Sequence, residues 1–383
     1  MKRIFAGTAA ALLAAVLLLP VPAGAVSARS AIVLDAVSGR VLFSREPDRE
    51  SLIASTTKIM TALVVCEQCN VLDRMRIPKE AVGVEGSSMY LREGEVLTLQ
   101  ELLYGLMLSS GNDAAVALAI YCGGTVEGFA EMMNDKARIL GLTGTHFENP
   151  NGLDSPDHHS TARDLAVLAA YAMENPIFAK TVSAKTVTIG NRCLRNHNKL
   201  LWLVKGADGV KTGYTRAAGR ILVSSATRDG RRLVAVTIHD PNDWQDHEAL
   251  LEEGFARYQL KKIISAGDQV GWAEIAGGQP SRVPLVAAED FWYSVAPEEN
   301  PCLALSEEGI RFAPVAAGAE AGSVYVLIEG NAVGKVPVMY GENAEQREPE
   351  EKSLWERLFG GKRGGAAAAK DNVFPGSGVP SGG

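Results

Sequence analysis

The sequence predicts an α+β protein, an antiparallel sheet interrupted by a large helical insert, with a small all-β region after it. Three observations predict it. Ala31 to Asp35 and Arg40 to Ser44 read as two short strands joined at Ser38-Gly39, a hairpin near the start. A helix-periodic region then runs from about Ser55 to Tyr171, after which strand character returns. Arg220 to Thr227 and Arg232 to His239 flank Asp229-Gly230, the residue pair that two-residue hairpin turns favour. Strands on both sides of the insert close into one sheet with helices packed on it.

Within the insert the helical segments are Ser55 to Cys66, Thr98 to Leu108, Asp113 to Tyr121 and Val126 to Leu140. Thr98 with Glu101 forms a capping box, and Gly141 after Leu140 serves as a C-cap. Lys185 to Ile189 and the stretch around Lys211 to Tyr214 read as strands, and Asp246 to Tyr258 as a helix. From about Leu260 to Tyr340 short alternating runs such as Ser323 to Ile328 and Gly334 to Val338 are broken by Gly and Pro. The expected boundaries are a leader at 1–25, a main region at 26–258, a β-rich domain at 259–341 and a tail at 342–383.

The leader reads as an address. Lys2 and Arg3 precede an apolar run from Ala9 to Leu19, Pro20 ends it, and Ala23-Gly24-Ala25 supplies small residues for cleavage. That pattern predicts export to the cell envelope, on the outer face of the cytoplasmic membrane or beyond it. Cleavage after Ala25 removes two positive charges and no acid, so a formal charge of −7 becomes −9. An acidic chain with its charge spread along its length argues against nucleic acid as a partner. Five cysteines leave at least one unpaired within the chain. Cys66 and Cys69 form a C-x-x-C, but no second pair follows at ligand spacing, so buried or incidental thiols are the expectation there.

Chemistry starts at Ser55-Thr56-Thr57-Lys58. A serine hydroxyl is a poor nucleophile until a base takes its proton. Residues three apart share a helix face, so Lys58 Nζ can reach Ser55 Oγ if Ser55 opens the helix. A lysine partly desolvated beside a second cation has its pKa lowered toward that of a base. Serine and lysine at this spacing arise about once by chance in a chain of this size, and Ser55 is the only serine here with a lysine three residues on. Two further motifs follow in order. Ser110-Gly111-Asn112 lies between two helices, where Gly111 permits a tight loop that turns a hydroxyl and a carboxamide the same way. Lys211-Thr212-Gly213 sits on a predicted strand, and that tripeptide arises by chance in about one such chain in ten. There Lys211 and Thr212 can meet a substrate carboxylate, and Gly213 lets substrate lie against the strand.

Ordered S-x-x-K, S-x-N and K-T-G motifs form a specific constellation. With it, the sequence resembles the low-molecular-mass penicillin-binding proteins, serine D-alanyl-D-alanine carboxypeptidases of the S11 peptidase type. The likeness extends through Gly86 to Leu91, Ser110 to Ala114, Asn134 to Ala137, His146 to Asp154, Ser160 to Ala166 and Gly209 to Thr215, about residues 30 to 340 in all. It implies the fold shared by penicillin-binding proteins and β-lactamases followed by the family's C-terminal module. It implies removal of the terminal D-alanine from peptidoglycan stem peptides ending in D-Ala-D-Ala, with β-lactams as covalent inhibitors and no cofactor or metal. Ser55 would be the nucleophile and Lys58 its base. Ser110 and Lys211 would relay a proton to the departing amine, and Asn112 would hold the acyl amide. Thr212 would bind the carboxylate, and the N–H groups of Ser55 and Tyr214 would form the oxyanion hole. Tyr214 stands where some family members carry histidine.

Two alternatives are weighed. A class A-like β-lactamase would share the motifs and need a glutamate for deacylation; Glu148 lies in roughly that region, but inside His146 to Asp154, which fits the carboxypeptidase pattern. A non-catalytic peptidoglycan-binding or β-lactam-sensing protein would be expected to lack a motif or to add a signalling domain. His247-Glu248 lacks the second histidine of a zinc protease motif, and Asp154, Asp157, His158 and His159 read as a polar lead-in to a helix capped by Ser160 or Thr161 rather than as a metal site. In the tail, Leu354, Trp355, Leu358 and Phe359 fall on one face of a short helix over 353–363, a candidate peripheral membrane contact.

Overall fold

The structure, a computed structural model, describes residues 26–306 and 310–348. The leader at 1–25 and the candidate amphipathic segment at 353–363 lie outside the described residues. Packing divides the chain into two units: Met1–Asp268 with Ala287–Ala304 and Val324–Val336, and Gln269–Val286 with Leu305–Ser323 and Pro337–Gly383.

In the first unit the hairpin is β1 (Ser30–Asp35) and β2 (Val41–Arg45). A 3₁₀ turn, Ala54–Thr57, leads into α1 (Lys58–Gln68). A small pair, β3 (Arg74–Arg76) and β4 (Val96–Thr98), precedes α2 (Leu99–Leu108), α3 (Asn112–Gly123) and α4 (Val126–Ile139). The capping box is present: Glu101 N–H donates to Thr98 Oγ1 at 3.2 Å, and Thr98 N–H to Glu101 Oε2 at 2.7 Å. Gly141 takes the left-handed conformation after α4 at φ 70°. Then come α5 (Ala162–Ala172), capped by Thr161, α6 (Pro176–Ser183), the hairpin β5 (Thr186–Ile189) and β6 (Arg192–Arg195), and the short α7 (Leu200–Leu203). β7 (Ala207–Thr215), β8 (Gly219–Arg228), β9 (Arg231–Ile238) and α8 (Asp243–Arg257) follow. The β3–β4 pair and strand β6 are additions to the sequence reading. They are too short to show a period.

Five strands form one antiparallel sheet in the order β2-β1-β9-β8-β7. Asp229 and Gly230 both have positive φ, 50° and 78°, as the mirror-image turn between β8 and β9 requires. Because strand side chains alternate, the sheet has two apolar faces. Ile32, Leu34, Val223, Val234 and Val236 join the helical core. Ala31, Val33, Leu222, Leu233 and Ala235 join Leu250 and Leu251 of α8 on the other face. α1 is buried along most of its length and packs against α2 to α6. The helix carrying Lys58 is therefore a fixed post, and β7, with Lys211, is a sheet edge.

Among the described residues after α8 the regular elements are all strands. The first unit also holds β10 (Gln259–Ile264). In the second, β11 (Gln269–Ala276) and β12 (Gly278–Gln279) precede β13 (Arg282–Ala287), which lies in that unit except for its last residue, pairs antiparallel with β11 and sets Ala273 opposite Val283. β14 (Phe291–Val295) pairs with β10 in the first unit. β15 (Cys302–Leu305) has residues in both units, and β16 (Arg311–Phe312) runs parallel to β11. β17 (Glu320–Ile328) and β18 (Asn331–Tyr340) also have residues in both, and β19 (Glu345–Gln346) pairs with β12. Alternating burial along β13 and β17 is the period-2 signature of half-buried strands.

Cysteine pairing corrects the expectation for Cys69. It is disulfide-bonded to Cys122, Cα–Cα 6.6 Å, tying the end of α1 to the end of α3, while Cys66, Cys193 and Cys302 are free. Spacing alone could not show this, because the partner lies 53 residues away. Closing a loop of that size stabilises by about 2–4 kcal/mol. Cys122→Ser should therefore lower the urea midpoint, and reductant should lower that of the wild type but not of the variant. Identical wild-type midpoints with and without reductant would contradict the bond.

Candidate active site

Ser55 sits in the 3₁₀ turn just ahead of α1. The turn is strained at its first residue, since Ala54 has φ 45°, a conformation that L-residues with a Cβ avoid. What holds it is a set of hydrogen bonds to carbonyls the turn leaves free. Thr57 Oγ1 donates to Ala54 O at 2.8 Å, and Thr56 N–H donates to Ile53 O at 3.2 Å. Thr57 in turn is 2.7 Å from His158 Nε2, and Glu148 N–H donates to His158 Nδ1 at 3.1 Å. These partners fix the tautomer: Nδ1 accepts, so Nε2 carries the hydrogen and donates to Thr57. Burial pushes the His158 pKa down to about 4, keeping the imidazole neutral.

Lys58 begins α1 and is fully buried. Its Nζ lies 3.0 Å from Ser55 Oγ, 2.7 Å from Asn112 Oδ1, and within hydrogen-bond distance of Asn151 O. Burial lowers its pKa well below the usual lysine value, Lys211 lowers it further, and Asp113 acts in the opposite direction. Nζ donates to two carbonyl oxygens and to Ser55 Oγ, which gives every hydrogen of an ammonium an acceptor. In the neutral form that burial favours, the position facing Ser55 becomes a lone pair that can take the hydroxyl hydrogen. Asn112 Nδ2 donates to Glu85 O at 2.6 Å, which turns Oδ1 toward Lys58.

Lys211 is the second buried lysine. Its Nζ donates to Thr212 O at 2.7 Å, and burial pushes its pKa down to about 7. Gly213 beside it brings β7 close to the nucleophile turn: a Cβ there would lie 3.2 Å from Ile53 O and 3.3 Å from Ser55 N. The missing side chain thus makes room first for the protein's own backbone.

The Ser110-Gly111-Asn112 loop differs in detail from the sequence reading. Ser110, not Gly111, takes the left-handed conformation, φ 57°, while Gly111 is extended. Gly111 is needed for space, because a Cβ would lie 2.7 Å from Asp113 Oδ1 and 3.3 Å from Met89 N. Asp113, buried, is the hub of this corner. Its carboxylate accepts from Met89 N–H at 3.1 Å, Leu91 N–H at 3.0 Å and Ser88 Oγ at 2.6 Å, fastening the 86–91 loop to the start of α3.

A cleft of about 300 Å³ opens over this machinery, lined by Ser55, Ser87, Ser110, His197, Thr212, Gly213, Tyr214, Arg220, Ile221, Asp243 and Trp244. Of the eight residues singled out from sequence, five line the cleft: Ser55, Ser110, Thr212, Gly213 and Tyr214. Lys58, Asn112 and Lys211 are buried around it. Sequence reasoning missed Asn151, Asp113 and His158, although all three fall in or beside segments it had flagged. It also missed the Arg220–Asp243–Trp244 wall, in which the Arg220–Asp243 ion pair is 2.6 Å long. Glu148 does not line the cleft; its carboxylate is engaged by Ser155, which holds its pKa low.

Comparison with known proteins gives the family. The profile of Peptidase_S11, D-alanyl-D-alanine carboxypeptidase, matches residues 19–242. The chain belongs to that family. The penicillin-binding protein 5 C-terminal domain matches residues 258–346. D-alanyl-D-alanine carboxypeptidase DacD of Escherichia coli is 36% identical over 292 residues, covering 72% of this chain and 75% of that one. The crystal structure of penicillin-binding protein 5 from Haemophilus influenzae has a TM-score of 0.74 at 30% identity, covering 84% of this chain and 98% of that one. A mutant of the Streptomyces K15 DD-transpeptidase aligns at TM-score 0.58 and 34% identity over 60% of this chain and 98% of that one. The protein is a serine-type D-alanyl-D-alanine carboxypeptidase and a penicillin-binding protein, with the fold of that family and an all-β C-terminal domain.

One position tests the packing behind Ser55. Gly152 has φ 84°, and a Cβ on it would lie 1.9 Å from Ala54 O and 2.8 Å from Thr57 Oγ1. Gly152→Ala should push the turn out of register and slow covalent modification by penicillin at least tenfold. An unchanged acylation rate would show that the turn does not depend on this contact.

Proposed function

We propose that Ser55 carries the acyl group and that Lys58 and Lys211 divide the proton work because burial holds them in different protonation states. The observation that supports this most is the full burial of Lys58, 3.0 Å from Ser55 Oγ and, among the described residues, with no carboxylate in hydrogen-bond contact with its Nζ. Neutral Lys58 takes the Ser55 proton as Oγ attacks the carbonyl of the D-Ala-D-Ala bond. The N–H groups of Ser55 and Tyr214 receive the developing oxyanion. Lys211, as a cation, and Thr212 bind the terminal carboxylate. Ser110 relays a proton from Lys211 to the departing D-alanine amine, and the proton that Lys58 took from Ser55 passes on to Lys211, which leaves Lys58 neutral and Lys211 charged as at the start. Asn112 keeps one lone pair and one N–H for the acyl amide after binding Lys58 and Glu85 O. Lys58, neutral again, serves as base for the water that releases the peptide.

Two tests follow. Ser55→Ala should abolish both D-alanine release from a D-Ala-D-Ala peptide and covalent labelling by penicillin; retention of either would remove Ser55 as nucleophile. The pH profile should be bell-shaped. Its acid limb reflects Lys58, which must lose its proton to act. Its alkaline limb reflects Lys211, which must keep its proton and has a pKa of about 7 in the free enzyme. A bound carboxylate favours the lysine cation and raises that pKa. The alkaline limb should therefore lie at higher pH in kcat than in kcat/KM, and coincident limbs would contradict the assignment.

The reading extends to export through the 1–25 leader and to a peripheral membrane contact through 353–363. Among the described residues no helix is long and apolar enough to cross a membrane. Truncation after Glu350 should reduce sedimentation with liposomes, and equal sedimentation would dismiss the contact.

A further inference from the structure

The net charge of −7 hides a segregation that the sequence reading took for an even spread. Between Glu174 and Asp208 there is no acidic residue, yet the stretch carries Lys180, Lys185, Arg192, Arg195, Lys199 and Lys205. Arg192 is half-buried and paired with Glu95 at 2.6 Å. Among the described residues the other five are exposed and make no ion pair. Three of them are gathered on aromatic rings. Lys185 and Arg195, at neighbouring positions of the β5–β6 hairpin, stand 5.7 and 5.3 Å from the Trp202 ring of α7. Lys199 stands 5.7 Å from the ring of Trp244. Trp202 itself is 42% exposed.

This patch adjoins the cleft. Trp244 is part of the cleft wall, as is His197, two residues after Arg195 and two before Lys199. An exposed tryptophan flanked by unpaired cations is equipped for a ligand with both a flat apolar face and negative charge. Trp202 offers a stacking surface, and Lys185 and Arg195 offer charge-assisted hydrogen bonds to carboxylates. A stem peptide on a glycan strand has that chemistry, with sugar rings and free carboxylates along the stem.

We propose that the Lys185–Arg195–Trp202 patch is a secondary docking surface for the carboxylate-bearing polymer of the substrate, outside the D-Ala-D-Ala end held in the cleft. The inference rests on the carboxypeptidase reading above and adds a polymer-recognition site to it. The patch raises the local concentration of polymeric substrate and leaves the chemical step untouched. Its electrostatic part acts over about 8–10 Å at moderate ionic strength and fades with salt.

The test compares two substrates on the full chain. One is a short, uncharged-side-chain acyl-D-Ala-D-Ala peptide, and the other is polymeric pentapeptide peptidoglycan. Lys185→Glu/Arg195→Glu should leave kcat/KM for the short peptide and the penicillin acylation rate within twofold of wild type, which also shows that the variant folds. On the polymer, kcat/KM should fall at least tenfold at 50 mM salt, mostly through KM, and the gap should close at 0.5 M salt. Trp202→Ala should lower polymer kcat/KM at both salt concentrations. Equal loss on both substrates would make the patch a structural support of the cleft and overturn the proposal. No loss on the polymer would overturn it as well. So would a variant that kept polymer turnover but lost binding to phosphatidylglycerol vesicles, which would make the patch a lipid contact. Failure of wild type to release D-alanine from the short peptide would instead count against the carboxypeptidase reading itself.

Discussion

Removing two lysine amines from water within one small region is the constraint from which the rest of the catalytic unit follows. A charged ammonium in a dry interior costs several kcal/mol unless an anion accompanies it. Lys58 has no carboxylate against its Nζ; it has the Ser55 hydroxyl and two carbonyl oxygens. The less costly state is the neutral amine, which is also the state a general base requires. Lys211, with one backbone carbonyl as partner, is pushed down only to about 7 and can still carry a proton. One chemical type thus serves two functions, and burial is the physical cause in both cases.

Holding this arrangement requires several loops to converge on the first turn of α1. The helix is anchored by apolar packing along nearly its whole length, which holds Lys58 in place. The loops then meet it through backbone groups. Asn151 supplies a carbonyl, Gly152 gives way to Ala54 O, and Gly86 leaves room for the Asn112 amide, whose Nδ2 would lie 2.6 Å from a Cβ there. Asp113 fastens the 86–91 loop through two N–H groups and a hydroxyl. Ala54 and Ser110, both at positive φ, sit beside the reacting groups, where residues in sparsely populated conformations persist only because surrounding contacts over-determine them.

Much of this was legible in the sequence. The three motifs, with Tyr214 after the last, named eight residues that the fold gathers at one cleft, because S-x-x-K depends on helix geometry and K-T-G on a strand. Asp229-Gly230 placed a hairpin because its turn demands those residues. Thr98 and Glu101 placed a helix start because the capping box is local. What was not legible depends on tertiary contact. Asn151 acts through a carbonyl that every residue possesses, so no residue type signals it. His158 sat in a polar loop whose partner, Thr57, is 101 positions away in sequence. Gly111 looked like a turn glycine, but the fold uses it for clearance. The acid-free run from 175 to 207 was visible in the letters, but only folding gathers Lys185, Arg195 and Trp202 into one patch.

If burial sets both lysines, Lys58 is shifted well toward the neutral amine and Lys211 is near half-protonation at neutral pH. The direct measurement is a pH titration of lysine 13Cε chemical shifts by NMR in the full-length protein, with the two signals assigned by Lys58→Arg and Lys211→Arg. The Lys211 signal should titrate at about pH 7. The Lys58 signal should titrate well below the surface lysines, which should cluster near about 10.4. Two signals titrating with that surface cluster would contradict burial as the cause.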